Sequence, residues 1–373
     1  MDPFEKLKLL SDASKYDLSC ACGTADDDHR TRGESGAWLY PVSLPSGGRS
    51  IMLKSLMSNV CSNDCNYCPY RSAVDVPRCS LTPDEMAGLF MGYANRGGVF
   101  GLFLTSGVIG TPDASMRLLN DTAAILRYRR RYRGYIHLKI IPGASTAAIE
   151  EAVSLASAVS LNIETPGEKH CNKLSSRKNF LRDIIAPLGT IRSLTARGTR
   201  YARVKTTTQF IVGASDETDS EIVRYTRGLY DRMGLDRVYF SAYQKGAGDA
   251  GLPGERRPDE APQRRFVREH RLYQTDFLFR KYGFTLEDIG FGPDGNLSLD
   301  KDPKQVWADS HPEFFPVRCD RAEAPELLRV PGIGPTLAKR IVERRRGERI
   351  RSWEGVGIRG KRRALVERYA VCG

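Results

Sequence analysis

The sequence predicts an α/β protein with a partial (β/α)6 barrel at its centre and a small all-α domain toward its C-terminal end. Three observations predict this. From Ser50 to about Lys245, strand-like apolar runs alternate with helical stretches, the pattern of parallel strands joined by right-handed crossovers. A Gly-, Pro- and Arg-rich stretch over residues 245–265 then breaks that rhythm. Beyond it the chain ends in a basic internal repeat, two glycine turns that each open a helix.

Taken in order, Phe4 to Leu10 reads as a helix, and Gly23 to Gly36, rich in Gly, Asp and Arg, as a partly mobile loop. Strands are expected over 51–56, 101–105, 135–140, 158–163, 206–211 and 237–242, and helices over 83–93, 115–132, 146–157 and 219–233. A long amphipathic helix over 263–282 follows the 245–265 loop, and an irregular segment runs through Pro316. The expected domains are an N-terminal extension over 1–49 and the barrel over 50–245. A linker with a helical extension packing on the barrel occupies 246–320, and the tandem repeat 321–373. Six strand–helix units suit a barrel whose chemistry sits at the carboxyl ends of its strands.

Composition narrows the function classes. A chain of 373 residues buries a sizeable core. No uncharged apolar run reaches the roughly 18 residues of a membrane-spanning helix. The start, Met1 to Lys6, lacks a basic segment leading into an apolar core, so a cytoplasmic protein with no membrane partner is expected. Nine irregularly spaced cysteines argue against a disulfide framework and for reduced thiols, some of them metal ligands. The net charge of +12 is uneven: Arg321 to Gly373 holds 14 Lys and Arg against 6 Asp and Glu, a balance of +8. That asymmetry suits a polyanion-binding appendage; a solvated charged face is the plainer alternative.

Three cysteines, Cys61, Cys65 and Cys68, follow the first expected strand. Thiolates are soft ligands that suit iron–sulfur clusters or zinc. Three on one loop hold three corners of a cubane and leave the fourth iron without a protein ligand. A zinc ribbon needs a second knuckle, and none is visible. A closed ferredoxin-type cluster needs a fourth cysteine at defined spacing, also absent. Zinc or a closed cluster remains the alternative.

The spacing CxxxCxΦC, with Tyr67 as the aromatic residue, resembles the signature of the radical S-adenosylmethionine superfamily. The resemblance implies a TIM-like partial barrel, a 4Fe–4S cluster on Cys61, Cys65 and Cys68, and S-adenosylmethionine chelating the open iron. It implies reductive cleavage of that cofactor to a 5′-deoxyadenosyl radical, which abstracts a hydrogen from the substrate, and an electron donor such as flavodoxin or ferredoxin. Thr105, Ser106 and Gly107 stand where the superfamily meets the cofactor's amino group. The usual Glu is missing there, so backbone carbonyls or Ser106 would make the contact. Asn162 and Glu164, two apart near a strand end, stand where the ribose is held; a polar strand end satisfied locally is the alternative. Gln209 to Gly213 followed by Glu217 resembles the adenine-contacting fifth strand, and Tyr243 closes the sixth. The chain most closely resembles a narrower group linked by inference to DNA modification or repair. The stretches over 12–17, 134–143 and 268–276 and the Gly-Ile-Gly tail carry that likeness, and the group is associated with a uracil-DNA-glycosylase-like partner. The catalytic residues on the substrate side are not identified. Among the other cysteines, Cys20, Cys22, Cys79, Cys171, Cys319 and Cys372 read mainly as structural thiols. An auxiliary cluster, or hydrogen donation by Cys79 or Cys171, is the alternative.

Val330 to Ile341 resembles a helix-hairpin-helix motif, and Gly357-Ile358-Arg359-Gly360 its partner. Gly332 and Gly334 are expected to adopt positive φ and bring the backbone close to an anion. Lys339, Arg340, Arg359, Lys361 and Arg362 supply countercharge to phosphates, without sequence information. Leu337, Ala338, Ile341 and Val342 form the stripe that packs the hairpins. A protein–protein module is the alternative. His270, Arg271, Tyr273 and Gln274 line a substrate opening or, more plainly, fix their helix to the barrel. The leading expectation is therefore a radical enzyme that modifies or repairs DNA. Modification of transfer RNA or another RNA, and an iron–sulfur adaptor recruiting a glycosylase-like partner, are the alternatives.

Overall fold

The computed structural model describes residues 1–14, 30–33, 36–43, 48–257 and 262–372. Residues 15–17 of the 12–17 stretch, Cys20, Cys22 and most of the Gly23–Gly36 loop lie outside the described residues. The chain divides into two compact units: Met1–Glu217 with Gly228–Phe266, and Thr218–Arg227 with Val267–Gly373.

The first unit is α/β around one mostly parallel sheet. Strands β1 (Thr31–Arg32), β2 (Trp38–Ser43) and β3 (Arg49–Leu56) pair antiparallel. Then β3, β4 (Gly101–Thr105), β5 (Tyr135–Lys139), β6 (Ala158–Ser160), β7 (Lys205–Val212) and β8 (Arg237–Ala242) run parallel in chain order. All six expected strands are present. The edge pair β1–β2 was not expected, and it places Thr31 and Arg32, read as loop, opposite Leu39 and Trp38. Parallel strands covered on both faces are apolar along their length. Leu53, Leu102, Leu104, Ile136, Leu138, Val159, Phe210, Val238 and Phe240 are accordingly buried.

Helices α1 (Pro3–Ala13), α2 (Pro83–Asn95), α3 (Pro112–Ala124) and α4 (Thr146–Leu155) start where the side chains dictate. At α2 the Glu85 amide donates to Thr82 Oγ1 (3.2 Å) and the Thr82 amide to Glu85 Oε2 (2.8 Å), a reciprocal cap followed by proline at the first turn. Thr111 and Ser145 cap α3 and α4 more simply, each accepting from one amide, of Ala114 and Ala148. The helix expected over 115–132 ends in a π turn, Ile125–Arg129. Between β6 and β7, where no helix was anticipated, lie α5 (Glu168–Leu174), a π turn (Phe180–Ile185) and α6 (Ala186–Thr195). Asn179 caps the π turn, and Pro187 and Gly189 interrupt the apolar pattern of α6 that would have announced it. The 245–265 loop likewise contains α8 (Pro253–Arg256).

Helix α7 (Asp219–Met233) contributes to both units, and α9 (Pro262–Lys281) leads into the second. That unit continues with α10 (Pro303–Ser310), β9 (Val317–Arg318), α11 (Ala324–Arg329), α12 (Pro335–Arg344), α13 (Gly360–Val366) and β10 (Ala370–Val371). The expectation of an all-α end is corrected here, because the last strand turns back to pair parallel with β9. The core of the second unit gathers Phe284, Trp307, Leu327, Val330, Ile333, Ile341, Val356, Ile358 and Val366. Arg329 lies over the rings of Phe284 (4.0 Å) and Trp307 (4.6 Å) and pairs with Asp288 at 2.8 Å.

One buried ion pair ties the second unit together. Asp219, at the start of α7, accepts from Arg268 Nε on α9 (2.7 Å) and from the Leu297 amide (2.9 Å). Removing one partner of such a pair leaves the other charged and desolvated. Asp219→Ala is therefore expected to cost about 3–5 kcal/mol of unfolding free energy, read from urea denaturation. A loss below about 1 kcal/mol would show that water or another group takes over.

Candidate active site

The three-cysteine loop leaves β3 and is pinned before it turns. The Met57 amide donates to the Thr105 carbonyl (2.8 Å), the Gly107 amide to Ser58 (2.7 Å) and the Ser62 amide to Val108 (2.8 Å). The segment after β4 therefore runs against the loop. A Cβ on Gly107 would collide with the Val60 carbonyl and crowd Cys61 Cβ at 3.2 Å, so only glycine permits this approach. Arg78 gathers the far side, donating to the carbonyls of Asn59 (2.6 Å), Tyr70 (3.1 Å), Arg71 (2.9 Å) and Val74 (2.9 Å). Arg71 donates to Cys68 O (3.1 Å) and Ala247 O (3.3 Å). Asp64 accepts from the hydroxyls of Ser175 and Ser176 and from the Ser176 amide (3.0 Å). Burial opposes its charge, but these bonds hold its carboxyl down at about 2.

Cys61, Cys65 and Cys68 line one cavity, of about 200 Å³, at the carboxyl ends of the parallel strands. Thr105, Ser106, Gly107, Asn162, Glu164 and Tyr243 line it too. Gly213 does not. Its amide donates to Glu217 Oε1 (2.5 Å) and its carbonyl lies against Gly254, so it shapes the turn after β7 behind the cavity. Asn162 and Glu164 sit past β6, which stops at Ser160 and not at Ile163. Glu164 takes φ +65, a left-handed conformation unfavourable for a side-chain-bearing residue. Its amide donates to Gln209 O (3.0 Å) and its carbonyl accepts from the Ile211 amide (2.8 Å), and this pairing to β7 enforces the turn. Asn162 Nδ2 lies 3.4 Å from Glu164 Oε2.

Tyr67 of the loop itself meets side chains from two remote segments. Tyr67 Oη donates to Glu164 Oε1 (2.9 Å), and Lys178 Nζ donates to Tyr67 Oη (3.3 Å) and to the Cys65 sulfur. Lys139, at the end of β5, also lines the wall. Nothing in the spacing of Lys178 and Lys139 marks them, because contact with the cavity depends on how distant crossovers close. Tyr243 donates to Glu255, and Glu255 in turn accepts from the amides of Gly246 and Gly248.

The electrostatics favour a positive centre at the thiols. Burial pushes the Cys68 thiol up to about 12 and raises that of Cys65, with the neighbouring thiols adding to the effect and Lys178 opposing it. Burial works against the Lys178 ammonium, but Cys65 and Glu164 outweigh it and hold its pKa above the ordinary lysine value. Burial, then Glu164, lifts Tyr67 well above an ordinary phenol and keeps it a donor. Thiols held neutral in this way become ligands when a metal displaces their protons. The Val108 amide donates to the Cys61 sulfur and the Tyr70 amide to that of Cys68, each at 3.4 Å.

The donor set fits an iron–sulfur cluster. The sulfurs have amide donors ready, and among the described residues no three Cys, His, Asp or Glu side chains converge on a point as a single ion requires. Ser106 Oγ is buried without a hydrogen-bond partner, leaving a polar atom for a ligand to satisfy. The carbonyls of Thr105 and Val108 are already used in holding the loop. Of the other described cysteines, Cys171 is buried within electrostatic reach of Cys65 but does not line the cavity. Cys319 and Cys372 bond each other as thiols, and Cys79 packs near Lys6. Cys20 and Cys22 lie outside the described residues.

In the second unit, Gly332 takes φ +87, as expected, and Gly357 and Gly360 take φ +84 and +56. Gly334 departs from expectation: at φ −106 it is the extended cap residue of α12. Leu337, Ala338 and Ile341 are buried and Val342 is half-buried. Lys339, Arg359, Lys361 and Arg362 are exposed, while Arg340 donates to the Val356 carbonyl (3.1 Å). Arg271 donates to the carbonyls of Ser298 and Leu299 and so serves its own unit.

No curated protein matches the chain. Among solved structures it is similar to methylornithine synthase (PylB), at 16% identity over 60% of this chain and 62% of that one, with a TM-score of 0.46. It is also similar to the FeFe-hydrogenase maturase HydG from Carboxydothermus hydrogenoformans, at 15% identity over 60% of this chain and 51% of that one, with a TM-score of 0.47. The matched part thus spans less than two thirds of either protein. The Radical SAM superfamily model matches residues 55–227, the stretch that carries the cysteine loop and most of the cavity wall. Residues 55–227 are a radical S-adenosylmethionine superfamily domain, of the superfamily that works with a 4Fe–4S cluster and S-adenosylmethionine.

Proposed function

We propose that the chain is a radical S-adenosylmethionine enzyme acting on nucleic acid, with DNA the preferred class, to modify or repair it. The observation that carries the first half is the convergence of three cysteines from one loop on a cavity shared with Ser106, Asn162 and Glu164. When bound, the cluster and S-adenosylmethionine supply a carbon-centred radical for hydrogen abstraction. The protein's part is to bind, orient and shield. Cys61, Cys65 and Cys68 hold the cluster. Ser106, with Thr105 and Gly107 shaping its backbone, receives the cofactor's amino group, and Asn162 and Glu164 receive its ribose. Tyr67 locks Glu164 in place, and Lys178 offers positive charge beside Cys65. Tyr243, held by Glu255, closes the wall, with the Gly213 turn behind it.

The second half rests on the tail. Its local balance of +8, its two positive-φ glycine turns and the exposed Lys339, Arg359, Lys361 and Arg362 suit contacts to phosphates. On this reading 321–373 is a tandem helix-hairpin-helix domain that grips the backbone, Gly332 and Gly334 shape its first turn, and Arg340 braces its two halves. A target base would have to leave the stack to reach an enclosed cavity.

Anaerobic reconstitution with iron and sulfide, followed by dithionite and S-adenosylmethionine, is expected to release 5′-deoxyadenosine. Cys61→Ala, Cys65→Ala and Cys68→Ala should each abolish both the cluster absorbance and the product. Stoichiometric zinc, or a fully loaded cluster that yields no product, would overturn the enzyme reading in favour of an adaptor.

Duplex DNA affinity is expected to fall steeply with salt, and each of Lys339→Gln, Arg359→Gln, Lys361→Gln and Arg362→Gln should reduce the log–log slope by about 0.9. A slope that ignores all four substitutions would remove the tail from the nucleic-acid interface. Tighter binding of transfer RNA than of DNA at matched salt would move the substrate to RNA.

A further inference from the structure

The second unit holds another cavity, of about 510 Å³, which the reading above leaves unused. One wall is a single face of α9, where His270, Tyr273, Gln274 and Phe277 follow the i, i+3, i+4, i+7 pattern of one helix side. The facing wall is the turn from Gly332 to Leu337, with Arg362 of α13 beside it. We propose that this cavity holds one unstacked nucleotide of a bound strand, its base against Tyr273 and Phe277 and its phosphate at the turn beside Arg362.

Several features point to that occupant. Aromatic rings at a cavity wall take any base face-on, and Phe277 is 44% exposed although it is large and apolar. The turn opposite is suited to an anion. Helix α12 begins with proline at its first position and has no side-chain cap, so the early amides of Thr336 and Leu337 carry the positive end of the helix. Gly332 has to be glycine here, since at φ +87 a Cβ would also meet Val366 Cγ2 at 2.8 Å. Lys304, 8% exposed, donates to the Ile333 carbonyl (2.5 Å) and lies over the Tyr282 ring (4.7 Å), which keeps the turn preformed. The one carboxylate on the wall, Asp302, is committed to capping α10 through the Gln305 amide (2.9 Å). The volume lies in the ~300–1,000 Å³ range of small-molecule sites, so it suits one nucleotide and not a base-paired segment.

This inference rests on the nucleic-acid reading of the tail, and the experiment separates the two. Full-length protein is titrated with a short single-stranded oligodeoxynucleotide carrying 2-aminopurine, and with the same sequence fully paired, across a salt series. Tyr273→Ala and Phe277→Ala are each expected to weaken single-strand binding by roughly 5- to 100-fold with an unchanged salt slope. They should also abolish the 2-aminopurine fluorescence change while leaving duplex affinity untouched. Phe277→Trp, which keeps a flat ring, should bind as the wild type does, and Phe277→Leu should not, which sets lost stacking apart from a damaged fold. Arg362→Gln should instead lower the salt slope by about 0.7. Wild-type single-strand binding in Tyr273→Ala and Phe277→Ala would overturn the cavity proposal and leave the tail reading intact. Failure of the wild type to bind either oligonucleotide would overturn both.

Discussion

The contact between the cysteine loop and the segment after β4 governs the geometry of the first unit. Gly107 lies so near Val60 and Cys61 that no side chain fits between them, and backbone bonds on both sides of it stitch the two segments together. With that contact made, the loop is anchored where it leaves the sheet and the three sulfurs share one cavity. Arg78, which collects four carbonyls, and Asp64, which collects two serines, then close the turn. Hydrogen bonding works beside burial here, since Cys65 is buried and Tyr67 packs against Leu174, Ala214, Tyr243 and Leu252.

Beside this loop sits an unusual concentration of charge. Glu164 is forced into a left-handed turn by its pairing with β7, Tyr67 donates to its carboxylate, and Lys178 donates to Tyr67. A strained conformation persists only where its surroundings over-determine it, and strain of this kind gathers at binding sites. A buried lysine next to a thiolate also bears on a metal centre, because hydrogen bonds and charge at the sulfurs set its reduction potential. A metal that took the sulfurs would therefore change the charge that Lys178 faces.

The second unit follows another logic. Its core is apolar, around Phe284, Trp307 and Ile341, and two ion pairs, Asp219 with Arg268 and Asp288 with Arg329, add to it. Two glycine turns open α12 and α13, and the helices between them contribute a narrow apolar stripe. Such a stripe leaves most of each helix surface free for exposed cations, which suits a surface that meets a charged polymer.

Much of this was legible in the sequence. The six parallel strands, the cysteine triplet and the basic repeat are local patterns, and local patterns survive without knowledge of contacts. Asn162 and Glu164 could be singled out by their spacing, although the strand ends before them. The helices between β6 and β7 escaped because residues such as Pro187 and Gly189 break the apolar pattern there. Gly334 was assigned the conformation that belongs to Gly332 alone, since a glycine's φ is set by its neighbours and not by its identity. Sequence by itself therefore determined the order of elements and the thiols offered to a metal, for these depend on residues close together in the chain. Only the tertiary structure decided that Lys178 and Lys139 join them and Gly213 stands behind, and that α9 faces the Gly332 turn across a cavity. Those placements come from how separate crossovers pack, a long-range property that no local pattern encodes.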